Sequence, residues 1–210
     1  MKSAALFDLD GVIVDTEPSY TEFWEMIGRD YFPEDINFAA SLKGQTLTYI
    51  FDRCFPGDSE RQTEVKKRLD DHQLTMSYPL VVGVMEFIDR LREIGVGIAV
   101  VTSSDCAKME NLYKAHPGFK EKFDRIFTAE DALRSKPAPD CYISAANYFG
   151  LEAKDCVVFE DSFNGLKAGL SSGAHVVGLT TSNPESEIAE YCDIVVADFS
   201  QPEVLLKLFA

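Results

Sequence analysis

Ala4-Ala5-Leu6-Phe7-Asp8-Leu9-Asp10-Gly11 is the stretch on which the fold turns. Its four leading apolar residues run without a break. That suits a strand buried on both faces, because a strand with one wet face alternates. Two aspartates and a glycine follow at once. In extended geometry residues two apart point to the same side, so Asp8 and Asp10 can address one site while Leu9 faces the core. Gly11 lets the chain turn away sharply. Taken alone, the run reads equally well as an acidic turn, since Asp and Gly are common turn residues.

The rest of the chain repeats the first half of this pattern. Short apolar runs recur at Val96–Val101, Arg125–Thr128, Cys156–Phe159, His175–Leu179 and Asp193–Val196, each continuous enough to be buried on both faces. Helix-period segments lie between them. In Val84–Ile94 the residues Val84, Phe87, Ile88, Leu91 and Ile94 share one face, and Gly95 reads as the stop. Pro139 suits the start of another helix that ends near Gly150. Strand–helix alternation of this kind predicts an α/β fold with a doubly wound parallel sheet.

One region breaks the rhythm. From Thr16 to Leu80 there is no convincing strand, only the helical candidates Pro18–Ile27, Thr46–Cys54 and Glu60–Met76. A parallel crossover needs a dozen or so residues, far fewer than this. The surplus predicts an inserted all-helical domain at 16–80, with the α/β core made of 1–15 and 81–210. The joints at Asp15-Thr16-Glu17-Pro18 and Tyr78-Pro79-Leu80 are stiffened by proline. An insertion after the first strand is expected over that strand's C-terminal end, where open α/β sheets bind ligands.

Composition limits the partners. The chain has 210 residues, 46% of them hydrophobic, enough for a sizeable core. Twenty Lys and Arg against 35 Asp and Glu leave a formal charge of −15. Nucleic acid and anionic membrane are therefore not expected as partners, and an anionic substrate needs a local cation to reverse the field. The five cysteines are scattered without metal-ligand or redox spacing, which suits reduced thiols in a cytoplasm. No signal-like or membrane-length apolar stretch occurs. A soluble cytoplasmic protein, monomeric since nothing demands an oligomer, is the expectation.

Complementary chemistry at the other strand ends makes the opening run more than a turn. A strand-tip carboxylate such as Asp8 can attack phosphorus, and Asp10 can protonate a leaving oxygen and later take a proton from water. Thr102-Ser103-Ser104 follows the run ending at Val101; its hydroxyls and N–H groups could grip phosphate oxygens, although Asp105 could simply cap a helix there. Glu160-Asp161-Ser162 is a second acidic tip. With Asp8 it offers hard oxygen ligands suited to Mg²⁺, and N-capping by Ser162 or Asp161 could hold at the same time. Lys136 lies between Ser135 and Pro137, and the prolines at 137 and 139 give its ammonium a defined direction, as needed to neutralise phosphate charge. Together these residues cover the needs of phosphoryl transfer.

The chain resembles the haloacid dehalogenase superfamily, in particular its phosphatase branch with a helical cap of the β-phosphoglucomutase-like type. The matching runs are Phe7-Asp8-Leu9-Asp10-Gly11-Val12-Ile13-Val14-Asp15-Thr16-Glu17, Thr102, Lys136-Pro137-Ala138-Pro139-Asp140, and Phe159-Glu160-Asp161-Ser162-Phe163-Asn164-Gly165. The resemblance implies Asp8 as nucleophile, Asp10 as general acid/base, and Thr102 and Lys136 holding the phosphoryl group. It implies Mg²⁺ on the Asp8 carboxylate, the Asp10 carbonyl and Asp161, with Glu160 close by. Ser41–Thr46 resembles the family's cap loop, which places Lys43, Gly44 and Gln45 on the substrate side, joined by Gly11, Glu17, Tyr20, Ser103 and Ser104. Gly165, Gly169 and Gly173 recur at helical spacing, which suits helix-to-sheet packing. Trp24 and Tyr20 could line the pocket, although aromatics on an amphipathic helix are more often core.

Two departures bear on the reaction. Where β-phosphoglucomutases carry a histidine and an arginine, this chain has Tyr20 and Leu47. The resemblance thus favours hydrolysis of a small phosphorylated metabolite, a sugar phosphate, over mutase action. A phosphomutase or pyrophosphatase of the same fold remains an alternative. A phospho-accepting receiver domain is a non-enzymatic one, but it lacks a cap and a second Asp two residues after the acceptor.

Overall fold

The computed structural model describes residues 3–42 and 47–210. They form two compact units, one of Met1–Asp15 with Tyr78–Ala210 and the other Thr16–Ser77. The second joint falls three residues earlier than the sequence places it. The reason is local pairing: Asp15 N donates to Pro79 O at 2.7 Å, and Leu80 bridges Val14, so the returning chain is stitched to the outgoing one.

The first unit holds a six-stranded, wholly parallel sheet. Its strands are β1 (Ala4–Phe7), β2 (Gly97–Val101), β3 (Arg125–Phe127), β4 (Cys156–Glu160), β5 (His175–Leu179) and β6 (Ile194–Val196), in spatial order β3-β2-β1-β4-β5-β6. All six correspond to the apolar runs. Burial differs from expectation at the margins: β1, β2 and β4 are buried throughout, whereas β3 and β6 are only partly covered. Those two are the edge strands, with a neighbour on one side only. Strand order reverses beside β1, so the tips of β1, β2 and β4 converge at the switch point.

Among the described residues, this unit's helices are α5 (Val84–Glu93), α6 (Cys106–Ala115), α7 (Asp140–Tyr148), α8 (Phe163–Ser172), α9 (Glu185–Ile188) and α10 (Pro202–Leu206). One sheet face packs Leu6, Val101 and Val158 against Tyr142, Ala145, Leu166 and Ala168. On the other lies an aromatic cluster in which Phe7 stacks on Phe159 at 4.6 Å and Phe87 on Phe199 at 5.3 Å.

The second unit is helical: α1 (Glu17–Tyr31), α2 (Phe38–Ser41), α3 (Leu47–Cys54) and α4 (Ser59–Thr75). Its own core gathers Phe23, Trp24, Ile27, Phe38, Leu42, Ile50, Phe55, Val65 and Leu69. Trp24 is thus core. Tyr20 packs against the same cluster, and its hydroxyl accepts from Gln73 Nε2 at 3.2 Å. Glu17 opens α1 in this unit. Lys43, Gly44 and Gln45 lie outside the described residues. No helix among the described residues is long and apolar enough to cross a membrane.

Candidate active site

The site grows from β1. Main-chain pairing continues one residue past the strand, Asp8 N donating to Phe159 O at 2.9 Å, which draws the tips of β1 and β4 together. Asp8 is buried, as are Thr102, Lys136, Glu160 and Asp161. Carboxylate oxygens of Asp8, Glu160 and Asp161 all lie within 4.8 Å of one another.

Lys136 closes this acidic group. Its Nζ donates to Asp8 Oδ1 at 2.7 Å, Glu160 Oε1 at 2.6 Å and Val101 O at 3.0 Å, so one ammonium ties the tips of all three central strands. The Tyr142 ring lies under it, 4.9 Å from Nζ to the centroid. Burial pushes the Asp8 carboxyl up to about 7, against the pull of Lys136, with the charges of Glu160 and Asp10 adding to the rise. Burial alone would lower the Lys136 ammonium, but the Asp8 and Glu160 charges outweigh it and hold it well above its ordinary value.

Glu160 is occupied by protein donors. Oε1 accepts from Lys136 and from Tyr142 Oη at 3.0 Å; Oε2 accepts from Asp161 N at 3.0 Å and from Ser162 N and Oγ, both at 3.1 Å. It anchors the lysine and the start of α8. Gly165 makes room for it: a Cβ there would collide with the Glu160 carboxylate. The three glycines at helical spacing therefore differ. Gly169 packs against Val158 and Val176 as expected, Gly165 clears the site, and Gly173 ends the helix at φ 86°. Ser162 caps α8 by accepting from Gly165 N at 3.1 Å.

Gly11 meets two demands at once. Its φ is 72°, and a Cβ would fall on the Asp161 carboxylate. Asp161 is also held from a segment the sequence did not single out, the loop after β5. Ser182 Oγ donates to Asp161 Oδ2, Asn183 Nδ2 to Asp161 O at 3.0 Å, and Thr181 Oγ1 to Gly11 O at 2.6 Å.

At the tip of β2, Thr102 N donates to Phe127 O at 2.9 Å and Thr102 Oγ1 accepts from Ser104 N at 3.0 Å. Ser104 Oγ turns to Asp10 Oδ2 at 3.0 Å rather than outward, while Ser103 is exposed. Asp105 caps α6, accepting from Lys108 N at 2.9 Å. Tyr142, Lys108 (whose Nζ donates to both Asp10 oxygens at 2.6 Å), Thr181, Ser182 and Asn183 are the site residues that the sequence did not single out. The polar run Thr180-Thr181-Ser182-Asn183 directly after the fifth strand was the available signal for the last three.

Residues 2–173 match the haloacid dehalogenase-like hydrolase family. Among curated proteins the chain is 30% identical to the fructose-1-phosphate phosphatase YqaB of Escherichia coli, over 82% of this chain and 93% of that one. It is 29% identical to hexitol phosphatase A of the same organism, covering 93% and 91% respectively. Among solved structures, the β-phosphoglucomutase of Clostridium difficile superposes with a TM-score of 0.80 at 23% identity, over 100% and 97% of the two chains. The chain belongs to the haloacid dehalogenase-like hydrolase family. Within it, it is a phosphatase, as its two Escherichia coli relatives are, and it shares its fold with the mutase.

Proposed function

We propose that this phosphatase hydrolyses a small sugar phosphate with the help of Mg²⁺, passing the phosphoryl group through Asp8. The observation that carries the reading is the meeting of Asp8, Lys136, Glu160 and Asp161 at the switch point of the sheet. Three buried carboxylates beside the Lys136 ammonium leave an excess of negative charge, and hard oxygen donors of this kind suit Mg²⁺. Asp8 and Asp161, with the Asp10 carbonyl, would hold the ion; Glu160 has both oxygens committed and would act by holding Lys136 and the Asp161 backbone. Mg²⁺ bound there would lessen the repulsion between an anionic substrate and these carboxylates.

The chain's own residues then divide the work. An Asp8 oxygen attacks phosphorus, forming an acyl phosphate as the bond to the sugar oxygen breaks. Asp10 gives that oxygen a proton, then takes one from the water that attacks the acyl phosphate, releasing phosphate and restoring both carboxyl groups. Lys136 and Thr102 hold the phosphoryl oxygens through the transfer. The named activities of the two Escherichia coli relatives support a polyol or sugar phosphate as substrate. Tyr20 and Leu47, standing where mutases have histidine and arginine, support water over a second sugar hydroxyl as acceptor.

A phosphate-release assay across hexitol and sugar phosphates tests this. Release from at least one of them, dependent on Mg²⁺ and exceeding one phosphate per protein, is expected. Isomerisation primed by a sugar bisphosphate, without net phosphate release, would instead establish a mutase.

A further inference from the structure

A second buried ammonium stands in the first unit, and no step described so far uses it. Lys108 lies on α6 with its side chain 6% exposed, and its Nζ donates to both Asp10 oxygens at 2.6 Å. Ser104 Oγ donates to one of the same oxygens at 3.0 Å. Both donors belong to one short segment that is itself tied down. Thr102 Oγ1 holds Ser104 N, and the Asp105 cap holds Lys108 N. Burying an ammonium is costly unless a charge partner meets it, so this contact is a built feature of the fold.

Asp10 needs such support. It follows Leu9 in a turn that Gly11 bends, and its side chain is 28% exposed. Contacts from Lys108 and Ser104 narrow the rotamers open to a carboxylate in that setting. A contact to both oxygens sets the plane of the group as well as its position. Lys108 reaches both oxygens and Ser104 adds a second donor at Oδ2; a carboxylate offers about four lone-pair sites, so these three contacts do not by themselves bar a proton.

We propose that Lys108, with Ser104 beside it, is a positioning residue for proton transfer: it holds the Asp10 carboxylate in the orientation that serves the leaving oxygen. This rests on the reading of Asp10 as general acid/base. Proton transfer demands hydrogen-bond reach, and a misplacement of about 1 Å can cost about a hundredfold in rate.

The test compares two substrates whose leaving groups differ in their need for a proton. Phenyl phosphate releases a basic phenoxide; para-nitrophenyl phosphate releases a weakly basic one. The ratio kcat/KM reports the steps through leaving-group departure. Lys108→Met, which keeps an apolar stem and removes the ammonium, is expected to lower kcat/KM on phenyl phosphate by about tenfold or more. The loss on para-nitrophenyl phosphate should be several-fold smaller. Ser104→Ala should show the same selectivity at smaller size, and it serves as the test if Lys108→Met does not fold. Equal losses on both substrates, or no loss on either, would overturn the inference. Asp10→Asn run in parallel separates the two failures. If it too shows no dependence on the leaving group, the role of Asp10 falls. If it shows one and the Lys108 and Ser104 variants do not, only the positioning role falls.

Discussion

Asp8 sits in a dry setting among like charges, and Lys136 only partly offsets them. Its carboxyl is pushed from 3.8 up to about 7, chiefly by burial. A carboxyl raised on folding stabilises the folded state while protonated. In Mg²⁺-free protein that contribution is full below about 4 and is lost as the pH rises through about 7. Asp8→Asn cannot ionise, so its stability relative to wild type should rise between those two values. Denaturant titrations of both proteins across that range check this, and parallel curves would contradict it. Much of the residue scale was legible in the sequence. Asp8, Thr102, Glu160 and Asp161 each follow an apolar run, and Lys136 is bracketed by turn chemistry that gives it a direction. Lys108 and Tyr142 were not legible. Each lies within a helix, where spacing marks a face but not its target, and Lys108 meets Asp10 across 98 residues of chain.

Elements carry the site through close approach. The start of α8 must come near enough to β4 for Ser162 and Asp161 to donate to Glu160, and Gly165 permits it. Gly165→Ala would place a methyl group on that carboxylate, displacing it from Lys136 and Tyr142. Overpacking of this kind costs about 1–3 kcal/mol. A destabilisation in that range by chemical denaturation is expected, with a loss of turnover beyond what the unfolded fraction explains. An unchanged midpoint would contradict the packing. The sequence revealed which runs are strands because burial on both faces leaves a continuous apolar signature. It did not reveal which strands are edges. Ile194–Val196 is as apolar as Gly97–Val101, and only pairing with a neighbour on one side exposes it. The loop after β5 escaped notice for a similar reason, since a polar run after a strand is also the ordinary composition of a turn.

For the whole molecule, the formal charge of −15 opposes the approach of any phosphate ester. Local cations govern the last few ångströms, but at low salt the long-range field acts over about 30 Å, against about 8 Å at physiological ionic strength. Raising the salt from about 0.01 to 0.15 M at fixed Mg²⁺ should therefore raise kcat/KM for a dianionic substrate by about twofold or more. A steep fall would mean that local cation contacts dominate encounter. Division into two units was legible from the stretch without strands between Thr16 and Leu80. The second joint came earlier than expected because pairing at Val14, Asp15, Pro79 and Leu80 draws the returning chain into the first unit.

All of the proposed chemistry passes through one carboxylate. Steady-state turnover of Asp8→Asn on the best substrate of the phosphate-release assay, with Mg²⁺ present and folding verified by circular dichroism, tests it most directly. Loss of the nucleophile is predicted to lower kcat by about a thousandfold or more. A folded Asp8→Asn protein that keeps kcat within about tenfold of wild type would contradict transfer through Asp8.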